Sequence, residues 1–299
     1  MNDANLYVNI SGINILISTK SKFIQLDLSC SISAYSKVFP NHAPDYHLNY
    51  HYSEDSYNLT SYQRVFSGNL TTEEFLKYKW HIFKNKESVV IKIDYENHPA
   101  IDEIVAVKNN NSNTVNAYVK GTFHNKLIVD PYSHPFGALL SLYLLHWNNG
   151  VLIHASCIIN NDEAYAFTGI SGIGKSTMAR LWHQAGHTVI NDDRLAIRNI
   201  GDHIKVYNTP MPYYTQKPIE STLTKIFILK QHPNNYIKPL SGVHAFTKVL
   251  SNFIQQFYEQ GMIQNHLDIV ESIINKIKVY EVGFKPDGEI VKLIKELDY

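Results

Sequence analysis

One glycine-rich segment constrains the fold of this chain more than any other feature of its sequence. Residues 169–176 read GISGIGKS and fit the pattern G-x-x-x-x-G-K-[ST]. A short apolar run at residues 164–168 precedes the segment, and residues 177–185 follow it with helical periodicity. The predicted core face of that helix is Met178, Leu181, Trp182 and Ala185. The pattern therefore predicts a buried strand, a tight turn and an amphipathic helix in direct succession, as in an α/β domain.

The same segment predicts a phosphate-binding loop. Glycines let the backbone turn so that successive N–H groups point inward, and the N-terminus of the following helix adds partial positive charge. Lys175 can reach β- and γ-phosphate oxygens, and the Ser176 hydroxyl can bind Mg²⁺. The predicted phosphate-binding residues are Gly169, Ser171, Gly172, Ile173, Gly174, Lys175, Ser176 and Thr177. The alternative interpretation is an ordinary glycine turn that opens a helix.

Two adjacent acids and a histidine flank the loop in the sequence. The apolar run at residues 186–191 ends in Asp192 and Asp193, and a second Mg²⁺ contact and a proton acceptor belong at such a strand end beside a phosphate loop. His154 lies upstream, within the apolar run at residues 151–156. Each feature also has a simpler interpretation. The acids could open a surface turn, and the histidine could be a hydrogen-bonded core residue.

Taken together, the histidine, the loop and the paired acids resemble the HPr kinase/phosphorylase family, whose core is related to ATP-dependent phosphoenolpyruvate carboxykinase. In that family these three features recur in this order and at about this spacing. The resemblance covers roughly residues 134–299 and is carried by the segments GVLIHASCII, AGHTVINDDRLAI, VYNTPMPY, KIFILKQHPNN and KVYEVGFKPDGEIVKLIKEL. The N-terminal 130 residues do not resemble the N-terminal domain of true HPr kinases.

The resemblance implies binding of ATP with Mg²⁺ and phosphoryl transfer to a serine-type hydroxyl of a peptide, a protein or a small molecule. It implies that Lys175 holds the phosphates and that His154 lies near the transferred phosphate. Asp193 is the expected acceptor of the hydroxyl proton, and Ser176 and Asp192 are the expected Mg²⁺ ligands, although the two aspartates could exchange roles. Because HPr kinases form hexamers, a homo-oligomer is a further expectation, but the sequence shows no recognisable assembly signal.

The sequence departs from the family at two places. Thr177 stands where true HPr kinases carry Glu, and the region at residues 211–216 lacks the later acidic metal ligand, for which Glu220 is only a loose candidate. These departures argue against HPr itself as a substrate. They also leave open a nucleotide-binding regulatory module without turnover. Arg194 could be a cation for the acceptor or the phosphate, or a plain surface residue. A carboxykinase-type decarboxylase is disfavoured, since no cluster of Arg and Lys for a dicarboxylate is visible.

The rest of the sequence predicts an α/β (α+β) fold with two domains. A β-rich domain at residues 1–133 would recognise the acceptor, and an HPr kinase-like nucleotide-binding catalytic domain with a mixed sheet would occupy residues 134–299. Runs of β-branched and aromatic residues predict strands at residues 6–10, 13–18, 89–94, 104–108 and 115–120. Helices are predicted at residues 72–79, 136–147 and 287–297.

Composition narrows the function classes further. Lys and Arg total 27 and Asp and Glu total 27, and this zero net charge argues against general nucleic-acid binding. The two cysteines, Cys30 and Cys157, cannot form a disulfide framework, which favours a reducing compartment. Residues 1–5 lack the features of a signal peptide, and the apolar run at residues 136–147 is too short to span a bilayer. We therefore expect a cytoplasmic protein with neither nucleic-acid nor membrane partners.

Overall fold

The computed structural model describes residues 5–28, 31–37, 43–68, 71–72, 76–211, 215–254 and 260–298. The chain divides into two units. The first comprises Met1–Ser141 with Pro210–Lys217, and the second comprises Leu142–Thr209 with Pro218–Tyr299. Among the described residues, each unit has a nine-stranded mixed sheet, and helices accompany the second, so the predicted α/β class with a mixed sheet is confirmed. The roles predicted for residues 1–133 and 134–299 stay predictions.

The described part of the first unit contains eleven strands. They are β1 (Asn5–Ile10), β2 (Ile13–Thr19), β3 (Ile24–Leu26), β4 (Tyr46–Tyr52), β5 (Gln63–Ser67), β6 (Thr71–Thr72), β7 (Lys77–Lys84), β8 (Ser88–Tyr95), β9 (Ile101–Asn109), β10 (Thr114–Gly121) and β11 (Leu127–Val129). A 3₁₀ helix covers Ser31–Tyr35. The large sheet has the order β1-β2-β4-β10-β9-β8-β7-β5, with β6 beside β7, and β3 pairs with β11 separately. All five strands predicted in this part of the chain are present.

The helix predicted at residues 72–79 is wrong. Thr71–Thr72 is the short strand β6, Lys77–Lys84 is β7, and residues 73–75 lie outside the described part of the chain. Strand β7 pairs antiparallel with β8 and buries Tyr78 and Ile82. An alternation of period two, supported by a neighbouring strand, therefore outweighs the local helix-start signal of two threonines followed by two glutamates.

The described part of the second unit contains nine strands. They are β12 (Gly150–Asn160), β13 (Glu163–Thr168), β14 (Thr188–Asn191), β15 (Arg194–Ile200), β16 (His203–Asn208), β17 (Glu220–Gln231), β18 (Tyr236–Leu240), β19 (Phe253–Ile254) and β20 (Lys278–Phe284). The helices are α1 (Phe136–Trp147), α2 (Lys175–Gln184), α3 (Gly242–Leu250), α4 (Gln260–Lys276) and α5 (Glu289–Lys295), followed by a 3₁₀ turn at Glu296–Asp298. Helix α1 includes the boundary between the two units. Both α1 and α5 occur where the sequence predicts them.

Five strands of the second unit form a closed ring of pairings. The order β13-β12-β15-β16-β17 continues in a line, and β17 also pairs parallel with β13, which closes the ring. One face of the ring is an apolar core that helices α3 and α4 cover. Fully or almost fully buried members of that core are Val151, Ile153, Leu195, Ile197, Val206 and Leu223. Beyond the ring, β20 pairs with β17 and β18 pairs with β20.

Helix α2 packs on the opposite face, in a second core. Trp182 is fully buried and lies edge-on to Tyr165 of β13, with ring centroids 5.9 Å apart. Phe167 of β13 stacks on Phe227 of β17 at 5.0 Å. On the predicted helix face, Met178 and Trp182 are buried and Leu181 is half-buried. Ala185 is exposed and Ala179 is buried in its place, because the buried stripe follows the i, i+3, i+4 spacing from Lys175.

A helix that crosses a bilayer has about 20 mostly apolar residues. Within the described residues, no helix combines the length and the apolar character that a membrane-crossing helix needs.

Candidate active site

The glycine loop joins the end of β13 to the start of α2. Gly169, Gly172 and Gly174 have φ values of +149°, +76° and +116°, which residues with side chains rarely adopt. At Gly174 a Cβ atom would lie 2.6 Å from Cζ of Phe284, so a side chain there would also clash with the second core. Helix α2 begins directly after Gly174, and the first N–H groups of any helix lack intrahelical acceptors. The loop therefore presents backbone donors at a helix N-terminus, which suits an anion.

Lys175 is buried within the loop and its ammonium group contacts the backbone. Its Nζ donates hydrogen bonds of 3.1 Å each to the carbonyl oxygens of Gly169 and Ile170. Burial lowers the pKa of Lys175 below its ordinary range, and the charge of Asp193 acts in the opposite direction. The carbonyl partners are neutral, so phosphate oxygens would be stronger acceptors for the same ammonium group.

Two buried hydroxyl groups link β12 to the residues on either side of the glycine loop. Ser156 Oγ on β12 donates a 2.8 Å hydrogen bond to the carbonyl oxygen of Lys175, and Thr168 Oγ1 donates one of 2.7 Å to the carbonyl oxygen of His154. Ser156 was not among the residues predicted from the sequence. A signal for it exists, because Ser156 follows His154 by two residues and so lies on the same face of the strand.

The paired acids occupy the turn between β14 and β15, and both of those strands pair with β12. The backbone N–H of Asp193 donates to Oδ1 of Asn191 at 2.9 Å, and the carbonyl oxygen of Asp193 accepts from the N–H of Ala155 at 3.1 Å. The turn is therefore tied to the middle of β12, where His154 lies. Sequence reasoning missed Asn191, whose side chain holds the turn.

Asp193 lies between a histidine and an arginine. Nδ1 of His154 is 2.9 Å from the carbonyl oxygen and 3.1 Å from Oδ1 of Asp193, and Nε of Arg194 is 3.7 Å from Oδ2. Both oxygens near Nδ1 are acceptors, so that nitrogen carries the proton in this arrangement. The three side chains are each about two-fifths exposed, so the carboxylate is accessible. Asp192, by contrast, is exposed beside them.

The remaining predicted residues differ in their surroundings. Ser171 and Ser176 are exposed, Thr177 is half-buried, and Ile173 packs against the core beneath α2. The hydroxyl of Ser176 and the carboxylate of Asp192 are the oxygen ligands that Mg²⁺ prefers. Over the described ranges, no group of three or more His, Cys, Asp or Glu residues could hold a metal. Mg²⁺ commonly takes only one or two protein ligands beside phosphate and water, so the residues present still fit that ion.

The region at residues 211–216, where a later acidic metal ligand would lie, is only partly described. Residues 212–214 lie outside the described part of the chain, while Met211 is buried. Glu220 is exposed at the first position of β17 and is paired with Tyr207 of β16. Strand β15 begins directly after the acid turn, and β16 and then β17 follow it in the sheet. Glu220 on β17 therefore lies two strands away from β15. It stays a loose candidate.

The chain is similar in sequence to a curated protein. No protein-family model matches the chain. A curated HPr kinase/phosphorylase of Mycoplasmopsis pulmonis (strain UAB CTIP) is 26% identical over 147 residues, which cover 48% of this chain and 43% of that protein. The similarity to HPr kinase/phosphorylase that the motifs predict is thus confirmed, and the match spans less than half of the relative's length.

A structural comparison identifies a similarly named protein. The HPr(Ser) kinase/phosphatase from Coxiella burnetii is 14% identical to this chain, and the alignment covers 49% of this chain and 92% of that one. Its TM-score is 0.29, which is too low to show a shared fold.

Proposed function

We propose that this protein is a kinase that transfers the γ-phosphoryl group of ATP to a serine-type hydroxyl of a peptide, a protein or a small molecule. One observation carries the proposal. The buried Lys175 of the glycine loop is close enough to Asp193 for their charges to interact, and Asp193 is an accessible carboxylate held by His154. A cation suited to phosphate and a carboxylate suited to accept a proton therefore lie close together beside the glycine loop.

Each residue has a distinct part in the proposed reaction. The loop N–H groups and the Lys175 ammonium bind the triphosphate, and such positioning with electrostatic stabilisation supplies most of the catalysis in phosphoryl transfer. Asp193 accepts the proton of the attacking hydroxyl, while the N–H of His154 fixes the orientation of its carboxylate. Ser176 and Asp192 would hold Mg²⁺, which neutralises phosphate charge when bound.

The contacts favour Asp193 over Asp192 as the proton acceptor. Asp193 has a histidine on one carboxylate oxygen and an arginine near the other, and its charge acts on Lys175. A base held in one orientation is more effective than one that rotates freely. Asp192 is exposed, which suits a metal ligand that shares its ion with water and phosphate.

The proposal is tested by separating binding from transfer. Purified protein is titrated with ATP and Mg²⁺ by calorimetry, and transfer from γ-labelled ATP is followed on an array of serine-containing peptides and on free serine. Asp193→Asn should keep ATP affinity within a few-fold and lose transfer by about 10²- to 10⁴-fold. Lys175→Ala should weaken ATP binding by at least about tenfold, because a buried charge-assisted contact is lost.

Two matched variants serve as controls. Arg180→Ala removes an exposed cation from the same helix, and Asp202→Asn neutralises an exposed acid in the turn after β15. Both should behave as the wild type. Unchanged ATP binding in Lys175→Ala would remove the phosphate-loop assignment. Tight ATP binding without transfer to any acceptor would instead support a nucleotide-binding regulatory module without turnover.

A further inference from the structure

A pocket of about 780 Å³ lies in the second unit, between helices α3 and α4 and the adjoining ends of β18 and β20. The first turn of α3 forms one wall, and the last turns of α4 form another. Its volume lies within the range of about 300–1,000 Å³ that is typical of small-molecule sites. The described residues that line it include none from the glycine loop or the acid turn.

The pocket and the candidate active site lie at opposite ends of β20. Lys278, the first residue of this strand, lines the pocket, whereas Phe284, its last residue, lies beside Gly174 of the glycine loop. A strand rises about 3.3 Å per residue, so the two ends of β20 lie roughly 20 Å apart. A small ligand in the pocket therefore touches neither the phosphate loop nor Asp193.

The interior of the pocket is apolar. Val279 is buried there, and Phe246 and Ile274 are half-buried, so the pocket leaves part of these side chains open to water. At the edge, the side chain of Val243 is 76% exposed. Covering such apolar surface is favourable in proportion to the area removed from water, so the pocket suits a ligand with an apolar body.

Two opposite charges stand among these apolar residues. Glu271 of α4 and Lys278 of β20 both line the pocket and are exposed, and the other described lining residues are uncharged. Within the described part of the chain, no ion pair or side-chain hydrogen bond occupies either charge. Elsewhere on the surface such charges do pair, as Lys292 and Glu289 of α5 do at 2.8 Å. The pocket thus combines an apolar interior with one available anion and one available cation.

We propose that this pocket binds a small zwitterion with an apolar body, such as a dipeptide of apolar residues or a free apolar amino acid. Glu271 binds the ammonium group of the ligand, Lys278 binds its carboxylate, and the apolar part covers the pocket interior. A ligand with a single charge would leave one of the two protein charges without a partner. The site is independent of the proposed kinase activity, since the phosphoryl donor and the acceptor hydroxyl belong at the glycine loop.

The test is calorimetry at pH 7 with the dipeptides Leu-Leu and Phe-Phe and with free leucine and phenylalanine. The dipeptide Gly-Gly is the reference, because it has both charges and no apolar body. At least one apolar ligand should bind at least about tenfold more tightly than Gly-Gly. The N-acetyl and C-amide forms of that ligand, which each lack one charge, should bind about threefold more weakly, since ion pairs at exposed side chains are weak.

A variant that narrows the pocket tests its location. Val243→Trp places a large side chain at the edge of the pocket and should weaken the best apolar ligand at least about tenfold. Thr247→Trp is the matched control, because Thr247 is exposed on the same helix and does not line the pocket. It should bind the ligand as the wild type does, and both variants should unfold at the wild-type urea midpoint.

Charge variants assign the two ends of the ligand. Glu271→Gln should weaken the zwitterion as much as N-acetylation does, and it should not weaken the N-acetyl form further. Lys278→Met should have the same relation to the C-amide form. The controls are Asp268→Asn, about one turn earlier on α4, and Lys238→Met on β18; both residues are exposed and lie outside the pocket, so neither change should affect binding.

Three results would overturn the inference. They are that no apolar ligand binds more tightly than Gly-Gly, that Val243→Trp binds the best ligand as the wild type does, and that the N-acetyl and C-amide forms bind as tightly as the zwitterion. These measurements contain no ATP, so their failure leaves the proposed kinase function standing. Loss of that function in its own test would likewise leave the pocket inference intact.

Discussion

Lys175 shows how a residue that a motif identifies acquires a property that the motif does not contain. The pattern GISGIGKS predicts that this lysine meets phosphate oxygens. The structure adds that burial holds its pKa below the ordinary range, with Asp193 only partly offsetting that effect. Burial of the side chain depends on residues far away in the sequence, so it could not be predicted from the loop alone.

This lowered pKa predicts a pH dependence of phosphate binding. Bound phosphates favour the charged ammonium, so the pKa of Lys175 rises on binding. Above the pKa of the free protein, binding must therefore take up a proton, and affinity for tripolyphosphate should fall as pH rises towards about 10.5, the ordinary pKa of lysine. Calorimetry in buffers of different ionisation enthalpy measures that uptake directly.

Lys175→Arg is the matched variant for this prediction. Arginine stays charged over the whole range, so the variant should bind tripolyphosphate without the alkaline proton uptake. Equal uptake by the variant and the wild type would assign the effect to another group.

His266 predicts a loss of stability in mild acid. Burial, and to a smaller extent the neighbouring His146, lowers the pKa of His266 to about 4. Between about pH 6.5 and pH 4 the unfolded chain binds a proton that the folded chain does not, so the free energy of unfolding falls as pH falls through this window. From pH 7 to pH 5 this histidine should account for about 2 kcal/mol.

Urea denaturation at the two pH values checks the expectation. His266→Gln should lose about 2 kcal/mol less stability on acidification than the wild type. The exposed His244 of α3 provides the control. On acidification, His244→Gln should lose as much unfolding free energy as the wild type. A wild-type-like loss in His266→Gln would show that His266 is not the group that responds.

At the scale of single elements, the glycine loop combines two constraints at one residue. Gly174→Ala requires a side chain at a φ of +116° and places its Cβ against Phe284. Strain and overpacking together should cost about 2–4 kcal/mol of unfolding free energy in urea denaturation, and the displaced loop should bind ATP weakly. Gly201→Ala has a φ of +58° but no atom within 4 Å of the added Cβ, and it should cost about 1–2 kcal/mol. An equal loss of unfolding free energy in the two variants would show that Phe284 moves aside without added strain.

The sequence predicts elements best where local pattern and tertiary environment agree. The buried helix α1 and the strand, loop and helix around Lys175 follow directly from periodicity and glycine placement. The segment at residues 72–79 fails because its helix-start signal competes with pairing to β8, which no local pattern shows. The hydrogen bond from Ser156 and the pocket between α3 and α4 depend on neighbours distant in sequence, so neither was predictable from the chain alone.

At the scale of the whole molecule, Cys157 provides a probe of unfolding in the second unit. It lies fully buried on β12, and burial raises the pKa of its thiol, so the native protein should resist thiol reagents. Cys30 lies outside the described residues, so a Cys30→Ser variant isolates the signal of Cys157. We expect labelling by a disulfide reagent only as fast as the unit opens.

Nucleotide should slow that labelling by mass action. At an ATP concentration 100 times its dissociation constant, a ligand that binds only the folded state adds about 2.7 kcal/mol, or about 100-fold slower labelling when opening is in rapid equilibrium. The same ATP should have little effect once Lys175→Ala is introduced into the Cys30→Ser protein. Rapid labelling of the native protein would contradict the burial of Cys157.

The closed ring of strands has a consequence for folding of the protein during translation. Strand β13, which ends in the glycine loop, pairs with β17, and β17 in turn pairs with β20 at Lys278–Phe284. The loop emerges from the ribosome more than a hundred residues before β20 exists. A nascent chain must therefore keep an unpartnered strand edge from aggregating while translation continues, and the surroundings of the glycine loop are complete only late in its synthesis.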